Sequence, residues 1–237
     1  MHEDKQDISS YLSIRNESDE EHRYLDGLLK QYLSAIESES YHMALFAYHL
    51  LFMSFVYQTI HKIKIWLPEK FKLALITFPT HERESYINSR SPWAYSKIKE
   101  RTIFGLFHLL EDCDDLISDC KTNTVDYRNK NLGHANPITV GSEEFLKKTT
   151  EYDVLTEKIQ KITQVELDKL FVGYLNGLDN ELEITKDDLE TSLIIPNRMS
   201  DKDLECLSAE CLINPSDAKS KTRKIIEEEY GVLANLI

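Results

Sequence analysis

One segment of this chain, about residues 41–65, would be apolar on every side of the helix that it forms. Its apolar residues recur at spacings of three and four along one side and fill the other side as well: Met43, Phe46, Leu50, Met53, Tyr57 and Ile60, then Leu45, Tyr48, Phe52 and Phe55. A helix that is apolar all round presents no face to water and is buried. We therefore expect a central helix around which the rest of the chain packs.

The scarcity of turn residues extends this expectation to the whole chain. Among 237 residues there are 7 glycines and 6 prolines, which predicts regular elements that are long and few. Hydrophobic residues make up 41% of the chain, enough for a sizeable core. Long elements with few turns favour helices over a many-stranded sandwich, so the predicted fold class is all-α.

Local patterns predict where further helices begin. Asp19 opens an amphipathic stretch, and the acidic residues at 143–144 are typical of a first helical turn after Ser142. The Ser-Pro pair at 91–92 is typical of a helix start, and we expect a long helix from there to about Cys120. Residues 71–78 fit either a short helix or a strand.

Composition divides the chain into three parts. Residues 1–18 are polar and read as an N-terminal tail. Asn, Asp and Gly cluster before residue 190, so we predict a helical domain over residues 19–185 and a C-terminal helical appendage over residues 186–237. The appendage would contain two short helices, one after Ser200 and one after Ser216.

The net charge of −13 limits how this chain could meet nucleic acid. Affinity for phosphate comes from summed lysines and arginines, so the surface as a whole repels a polyanion. Any contact with RNA would therefore need a local basic pocket. An acidic exterior also suits a basic partner protein.

The cysteines and the apolar runs point away from other classes of protein. The four cysteines, at 113, 120, 206 and 211, form no CxxC pair and no zinc-ligand cluster, and Cys113 is expected to be a buried free thiol. The longest apolar run, residues 43–56, is too short for a membrane span, and the N-terminal residues do not resemble a secretory signal. We expect a cytoplasmic protein with no metal, no cofactor and no membrane contact.

Residues 127–136 (YRNKNLGHAN) carry the most informative chemistry. Arg128 offers a planar fork of donors that suits phosphate, and His134 can exchange a proton near neutral pH. Asn129, Lys130 and Asn131 are candidate supporting or substrate-binding residues. A phosphate-binding cation beside an acid/base group is the minimum needed to cleave RNA through its own 2′-hydroxyl.

The local sequence also predicts how the two principal residues would meet. A short helix is expected to open near Thr124 and to end at Gly133, because Pro137 blocks its continuation. In an unbroken helix, a separation of six residues places Arg128 and His134 about 120° apart. A break at the glycine would let the histidine turn back toward the arginine.

Spacing alone does not single out this pair. Two other pairs have a similar spacing, Arg15 with His22 and Arg101 with His108, and about one match is expected by chance among the arginines and histidines of this chain. The first lies among acidic residues that would repel phosphate, and the second is expected inside the long helix. The pair at 128 and 134 is favoured because it follows that helix and has amides and Lys130 around it.

The motif in its helical setting resembles the HEPN superfamily, which comprises bundles of four or five helices that carry an arginine, four to six residues and a histidine. Arg128, the Asn129 that follows it and His134 match that pattern, and the resemblance extends over about residues 20–180. It implies a metal-independent endoribonuclease with Arg128 and His134 as catalytic residues and Asn129 orienting the arginine or the phosphate. It also implies a homodimer, an RNA substrate, a role as a bacterial toxin or anti-phage defence effector, and an antitoxin or regulatory partner.

Two other interpretations stay open. The same bundle could be a non-catalytic module that binds RNA, a nucleotide or a protein. The match could also be accidental, with Arg128 paired to Asp126, Asp114 or Asp115 and His134 at a helix end. The polar residues of the central helix, Tyr48, His49 and Tyr57, are expected to be packing residues and not ligands.

Overall fold

The computed structural model describes residues 8–15, 18–110, 113–132, 140–178 and 184–207, together with 222, 224–226, 228 and 230. Most of these residues are helical and none of them forms a strand, which confirms the all-α prediction. An isolated bridge between Ser13 and Ser200 is the one extended pairing in the described ranges. His134 and most of the helix predicted after Ser216 lie outside the described residues.

The described residues from 222 to 230 are helical, and nine continuous α-helices of very different length lie among residues 18–207. In chain order they are α1 (Asp19–Glu37), α2 (Tyr41–Trp66), α3 (Pro68–Ala74), α4 (Thr80–Asn88), α5 (Glu100–Ile103), α6 (Asp114–Cys120), α7 (Ser142–Gly177), α8 (Lys186–Leu189) and α9 (Asp201–Cys206). A short 3₁₀ segment, Ile8–Tyr11, precedes α1, and others lie between later helices at Leu75–Thr77, Pro92–Lys97 and Phe104–Leu109. The π-helical segments are Lys121–Asp126, Arg128–Leu132 and Glu190–Ile194.

The chain forms two compact units. Residues 18–162 form one, called here the central unit, and residues 1–17 with 163–237 form the other, the terminal unit. Helix α7 contributes to both. The division into 1–18, 19–185 and 186–237 stays a prediction.

Helix α2 is the central helix that the sequence predicts. Leu45, Leu51, Phe52, Val56 and Ile60 are fully buried, and α1 packs along α2 in the central unit. The helix has 26 residues and is long and apolar enough to cross a membrane, but 78% of its most apolar stretch is buried within the protein. The apolar run of residues 43–56 covers only part of this helix, which continues beyond the run at both ends.

The predicted long helix from residue 91 to Cys120 is wrong. The chain starts a 3₁₀ helix at Pro92, runs extended through Ile98 and Lys99, and becomes helical again at Glu100. Leu110 is also extended, and it precedes α6.

Burial explains the first of these breaks. Tyr95, Ile98 and Ile103 all lie in the core. In one straight α-helix, Ile103 would point about 140° away from Ile98, so both could not face the core. The extended residues between them allow both side chains to be buried.

The short helix predicted to open near Thr124 is also wrong, because the backbone is already helical there. Helix α6 continues from Asp114 through residue 132, with π-type hydrogen bonding from Lys121 onward. The hydroxyl of Thr124 donates to the carbonyl of Cys120 at 2.6 Å and does not cap a helix start. Residues 121–132 are called the α6 extension below, and they carry Arg128. Gly133, the predicted helix end, lies outside the described residues.

The stretch that fits either a helix or a strand is helical. Phe71 and Leu75 are buried four residues apart, a spacing that places both on one helical face.

Two smaller predictions are confirmed. Cys113 is buried and is not part of a disulfide. In the terminal unit a helix begins after Ser200, whose hydroxyl accepts from the backbone of Asp203, while the Asp203 carboxylate accepts from the backbone of Ser200. This reciprocal capping box fixes the helix start.

Candidate functional site

An open pocket of about 460 Å³ in the central unit contains two of the predicted site residues. It lies where the segment leading into α5 meets the α6 extension. The residues that line it are Tyr57, Ser96, Lys97, Ile98, Lys99, Glu100, Arg101, Thr102, Val125, Arg128 and Asn129.

The charge around this pocket opposes that of the chain as a whole. Four of its lining residues are cations, Lys97, Lys99, Arg101 and Arg128, and Glu100 is the one carboxylate among them. Arg101 forms an ion pair with Asp126, an exposed contact. Even with Asp126 counted, the pocket is net positive in a chain whose net charge is −13. It is therefore a local basic site of the kind that an RNA contact requires.

The extended break at Ile98 and Lys99 explains how two of these cations reach the pocket. Lys97 ends the 3₁₀ segment, and in the extended residues that follow it successive side chains point to opposite sides. Ile98 is buried, whereas Lys97 and Lys99 are exposed. The break that buries the isoleucine thus places both lysines in the pocket wall.

Arg128 lies in the wall opposite α5, with 28% of its side chain exposed. Its Nη2 atom donates to Oε2 of Glu100 at 2.9 Å. The expected alternatives for its partner, Asp126, Asp114 and Asp115, are therefore wrong. Asp126 binds Arg101 instead, and Asp114 lies 3.3 Å from Nδ1 of His108.

Behind Glu100, the polar contacts continue into the core. The second carboxylate oxygen, Oε1, lies 3.4 Å from Nε2 of His49, and Nδ1 of His49 lies 2.8 Å from the hydroxyl of Tyr152. His49 is buried, as predicted for a packing residue, but sequence reasoning missed its link to the arginine. One signal was available, because a histidine on a helix buried all round must find a hydrogen-bond partner.

The environment of the pocket changes the acidity of two of its lining residues. Burial on its own raises the pKa of the Glu100 carboxyl, but the hydrogen bond and charge of His49 together with the charge of Arg128 outweigh burial and lower that pKa below its usual value. Burial, reinforced by the charge of Glu100, raises the pKa of Tyr57 to about 12. At neutral pH the carboxyl is ionised and the phenol is protonated.

The other predicted site residues are distributed differently. Asn129 is exposed in the pocket wall, whereas Lys130 is exposed and Asn131 half-buried outside the described lining. His134 lies outside the described residues, so its distance from Arg128 stays a prediction. Arg101 and His108 line two different pockets and do not form a pair.

Tyr127 attaches the α6 extension to α7. Its hydroxyl donates to Glu144 at 2.7 Å, and the ammonium of Lys148 lies 4.2 Å from the centre of its ring. These contacts, one residue before Arg128, fix the helix that carries the arginine. Within the described part of the chain, no three His, Cys, Asp or Glu residues are grouped so as to hold a metal ion.

Comparison of the chain with protein-family models, with curated proteins and with solved structures gave no match. Any function must therefore be argued from the pocket and from the sequence motif.

Proposed function

We propose that this chain is a metal-independent endoribonuclease of HEPN type in which the pocket around Arg128 binds the scissile phosphate. The observation that carries the proposal is the concentration of four cations around one open pocket in a strongly acidic chain. Phosphate is the ligand that such a site prefers, since summed Lys and Arg charges supply phosphate affinity. The resemblance of residues 128–134 to the HEPN motif selects RNA cleavage among phosphate chemistries.

Each residue has a role in this proposal. Arg128 holds the phosphate and stabilises the charge that builds on it during 2′-hydroxyl attack. His134 transfers the proton to or from the reacting oxygen. Asn129, in the pocket wall, orients the arginine or the phosphate, and Lys130 and Asn131 support the RNA beyond the pocket. Glu100 and Tyr57 are poorly suited to proton transfer at neutral pH, because one is already ionised and the other holds its proton.

The test is cleavage of labelled RNA in EDTA by the wild type and by Arg128→Ala, His134→Ala and Lys30→Ala. Lys30 is an exposed lysine of α1 that pairs with Asp26, so its loss matches the change in charge without touching the pocket. We expect cleavage by the wild type and by Lys30→Ala, and loss of cleavage in the other two. Equal cleavage by all four proteins would identify a contaminating nuclease and reject the proposal.

A second candidate is a module that binds RNA or a nucleotide without cleaving it. The observation that favours it is that no described residue of the pocket wall is a histidine, and neither Glu100 nor Tyr57 replaces one. RNA binding that depends on Arg128, with no cleavage by the wild type, would select this candidate.

The resemblance extends the first proposal to a homodimer and to a toxin or defence effector with an antitoxin or regulatory partner. The mass of the purified chain by light scattering tests the dimer. Growth arrest on expression, relieved by His134→Ala, tests the toxin role. A normal growth rate on expression of the wild type would contradict it.

A further inference from the structure

The contact between Arg128 and Glu100 is one end of a row of four polar side chains from four elements. Helix α2 provides His49, α5 provides Glu100, the α6 extension provides Arg128 and α7 provides Tyr152. The exposed fraction falls from 28% for the Arg128 side chain and 17% for that of Glu100 to 1% for His49 and Tyr152. The row therefore leads from the pocket wall into the core.

The protons along this row can be assigned from the chemistry of the groups. An ionised Glu100 only accepts, so Nε2 of His49 must donate to it. Nδ1 of His49 shares a hydrogen bond with the hydroxyl of Tyr152, whose pKa is raised by burial and by the charge of Glu100. Behind Arg128, both ring nitrogens of His49 and the hydroxyl of Tyr152 have partners. A buried polar network that is fully satisfied holds its members in one arrangement.

This arrangement leaves most donors of the Arg128 guanidinium without a partner among the described residues. The two oxygens of Glu100 are bound by different partners, Arg128 on one and His49 on the other, so the carboxylate cannot turn without losing a contact. Arg128 has five N–H donors and uses one of them on Glu100. Its buried Nε has no hydrogen-bond partner among the described residues.

We infer that Glu100, itself oriented by His49, is a positioning residue that fixes the Arg128 guanidinium so that its remaining donors meet the scissile phosphate. The inference rests on the proposed ribonuclease function. A misplacement of about 1 Å in such a group can lower a rate about 100-fold. Glu100→Gln replaces one accepting oxygen by an NH₂ group and should lower kcat by up to about this factor.

RNA binding should not weaken in the Glu100→Gln variant, although its catalysis should. Glu100→Gln removes the one carboxylate of the pocket lining, so the pocket becomes more positive. We therefore expect the KM for single-stranded RNA to stay unchanged or to fall while kcat falls. If Glu100 instead competed with phosphate for Arg128, Glu100→Gln would turn over faster than the wild type.

The experiment measures kcat and KM on single-stranded RNA in EDTA for the wild type, Glu100→Gln, His49→Gln and Glu69→Gln. Glu69 is a highly exposed carboxylate of α3, and its replacement is the matched control. The inference is supported if kcat falls for Glu100→Gln and His49→Gln without a rise in KM. The kcat of Glu69→Gln should stay unchanged. Unchanged or faster turnover by Glu100→Gln, or a rise in KM alone, overturns it.

A double variant separates positioning from an independent contribution. Arg128→Lys keeps the charge and loses the fork, so its effect on kcat should be smaller in the Glu100→Gln background than in the wild type. Effects on kcat that multiply would overturn the inference.

If Glu100→Gln does not fold, His49→Gln, which leaves the ion pair in place, decides by the same kcat criterion. A wild type that does not cleave RNA overturns the ribonuclease function and this inference together, whereas normal cleavage with unaffected variants overturns the inference alone.

Discussion

At the scale of single residues, the pocket depends on a carboxylate that is ionised because of its neighbours. Glu100 contacts His49 and Arg128, and the half-buried Tyr57 also lines the pocket beside it. Burial raises its pKa, but the hydrogen bond from His49 and the charges of its neighbours outweigh burial and lower that pKa. A group whose folded pKa lies below its unfolded value stabilises the folded state as an anion.

This shift predicts how stability depends on pH. The contribution of Glu100 should be fully present above its unfolded pKa, near 4.5, and should be lost as the pH falls through the lower folded value. The difference in unfolding free energy between the wild type and Glu100→Gln is therefore largest at neutral pH and shrinks in acid. Urea unfolding between about pH 3 and pH 7 measures it. A difference that stays constant over this range contradicts the prediction.

Arg128 could be predicted as a site residue from the sequence, whereas its ion-pair partner, Glu100, could not. The polar and basic surroundings of the arginine are visible in the chain, and they led to a pocket residue. Glu100 lies 28 residues earlier, at the start of a helix that the long-helix prediction did not contain. A partner at that distance depends on the path of the chain, which residue patterns near Arg128 do not specify.

At the scale of elements, periodicity predicted which residues are buried better than it predicted where helices break. Leu106, Leu110, Cys113 and Leu116 are apolar and buried, yet they belong to separate segments. Burial follows from apolar character, whereas the break at Ile98 follows from the need to bury that residue and Ile103 together. The need to bury both isoleucines depends on how the core packs, and the local sequence pattern does not show it.

The central helix should respond strongly to loss of packing. Phe52 of α2 is fully buried against Tyr152 and Phe104, with ring centres 5.0 and 6.4 Å away. Phe52→Ala should lower the unfolding free energy by about 3–5 kcal/mol, through lost burial and the cavity left behind. Met43→Ala, on the same helix at a residue that is 54% exposed, should change it by no more than about 0.5 kcal/mol. Urea denaturation compares the two, and equal losses would contradict the burial of α2 in the core.

The start of α1 provides a smaller test. The hydroxyl of Ser18 accepts from the backbone N–H of Glu21 at 3.2 Å and caps the helix. Ser18→Ala removes that acceptor and should cost about 1 kcal/mol, whereas Ser18→Asp retains an acceptor and should cost little. Thermal unfolding of both variants checks the difference. Equal destabilisation by alanine and aspartate would mean that the cap contributes nothing.

At the scale of the whole molecule, charge is distributed unevenly. The chain carries a net charge of −13, and yet the wall of one pocket is net positive. Binding of RNA through such a pocket differs from binding through a basic surface, because few phosphates are neutralised while the remainder of the protein repels the strand. The net charge predicted that any RNA contact would need a local basic pocket. It did not predict that Lys97 and Lys99 would lie in the wall of that pocket, because the break at Ile98 depends on packing of the core.

This uneven distribution predicts a weak dependence of RNA binding on salt that can be assigned to individual residues. For a single strand, each neutralised phosphate contributes about 0.7 to the slope of log affinity against log salt. Lys97→Ala and Lys99→Ala should each reduce the slope by about that amount, and the double variant by about twice as much. Fluorescence anisotropy with labelled single-stranded RNA over a salt series measures these slopes. Lys30→Ala removes an exposed lysine from outside the pocket and should leave the slope unchanged. An equal reduction of the slope by Lys30→Ala would mean that RNA binds the surface as a whole. That result would contradict phosphate binding in the pocket.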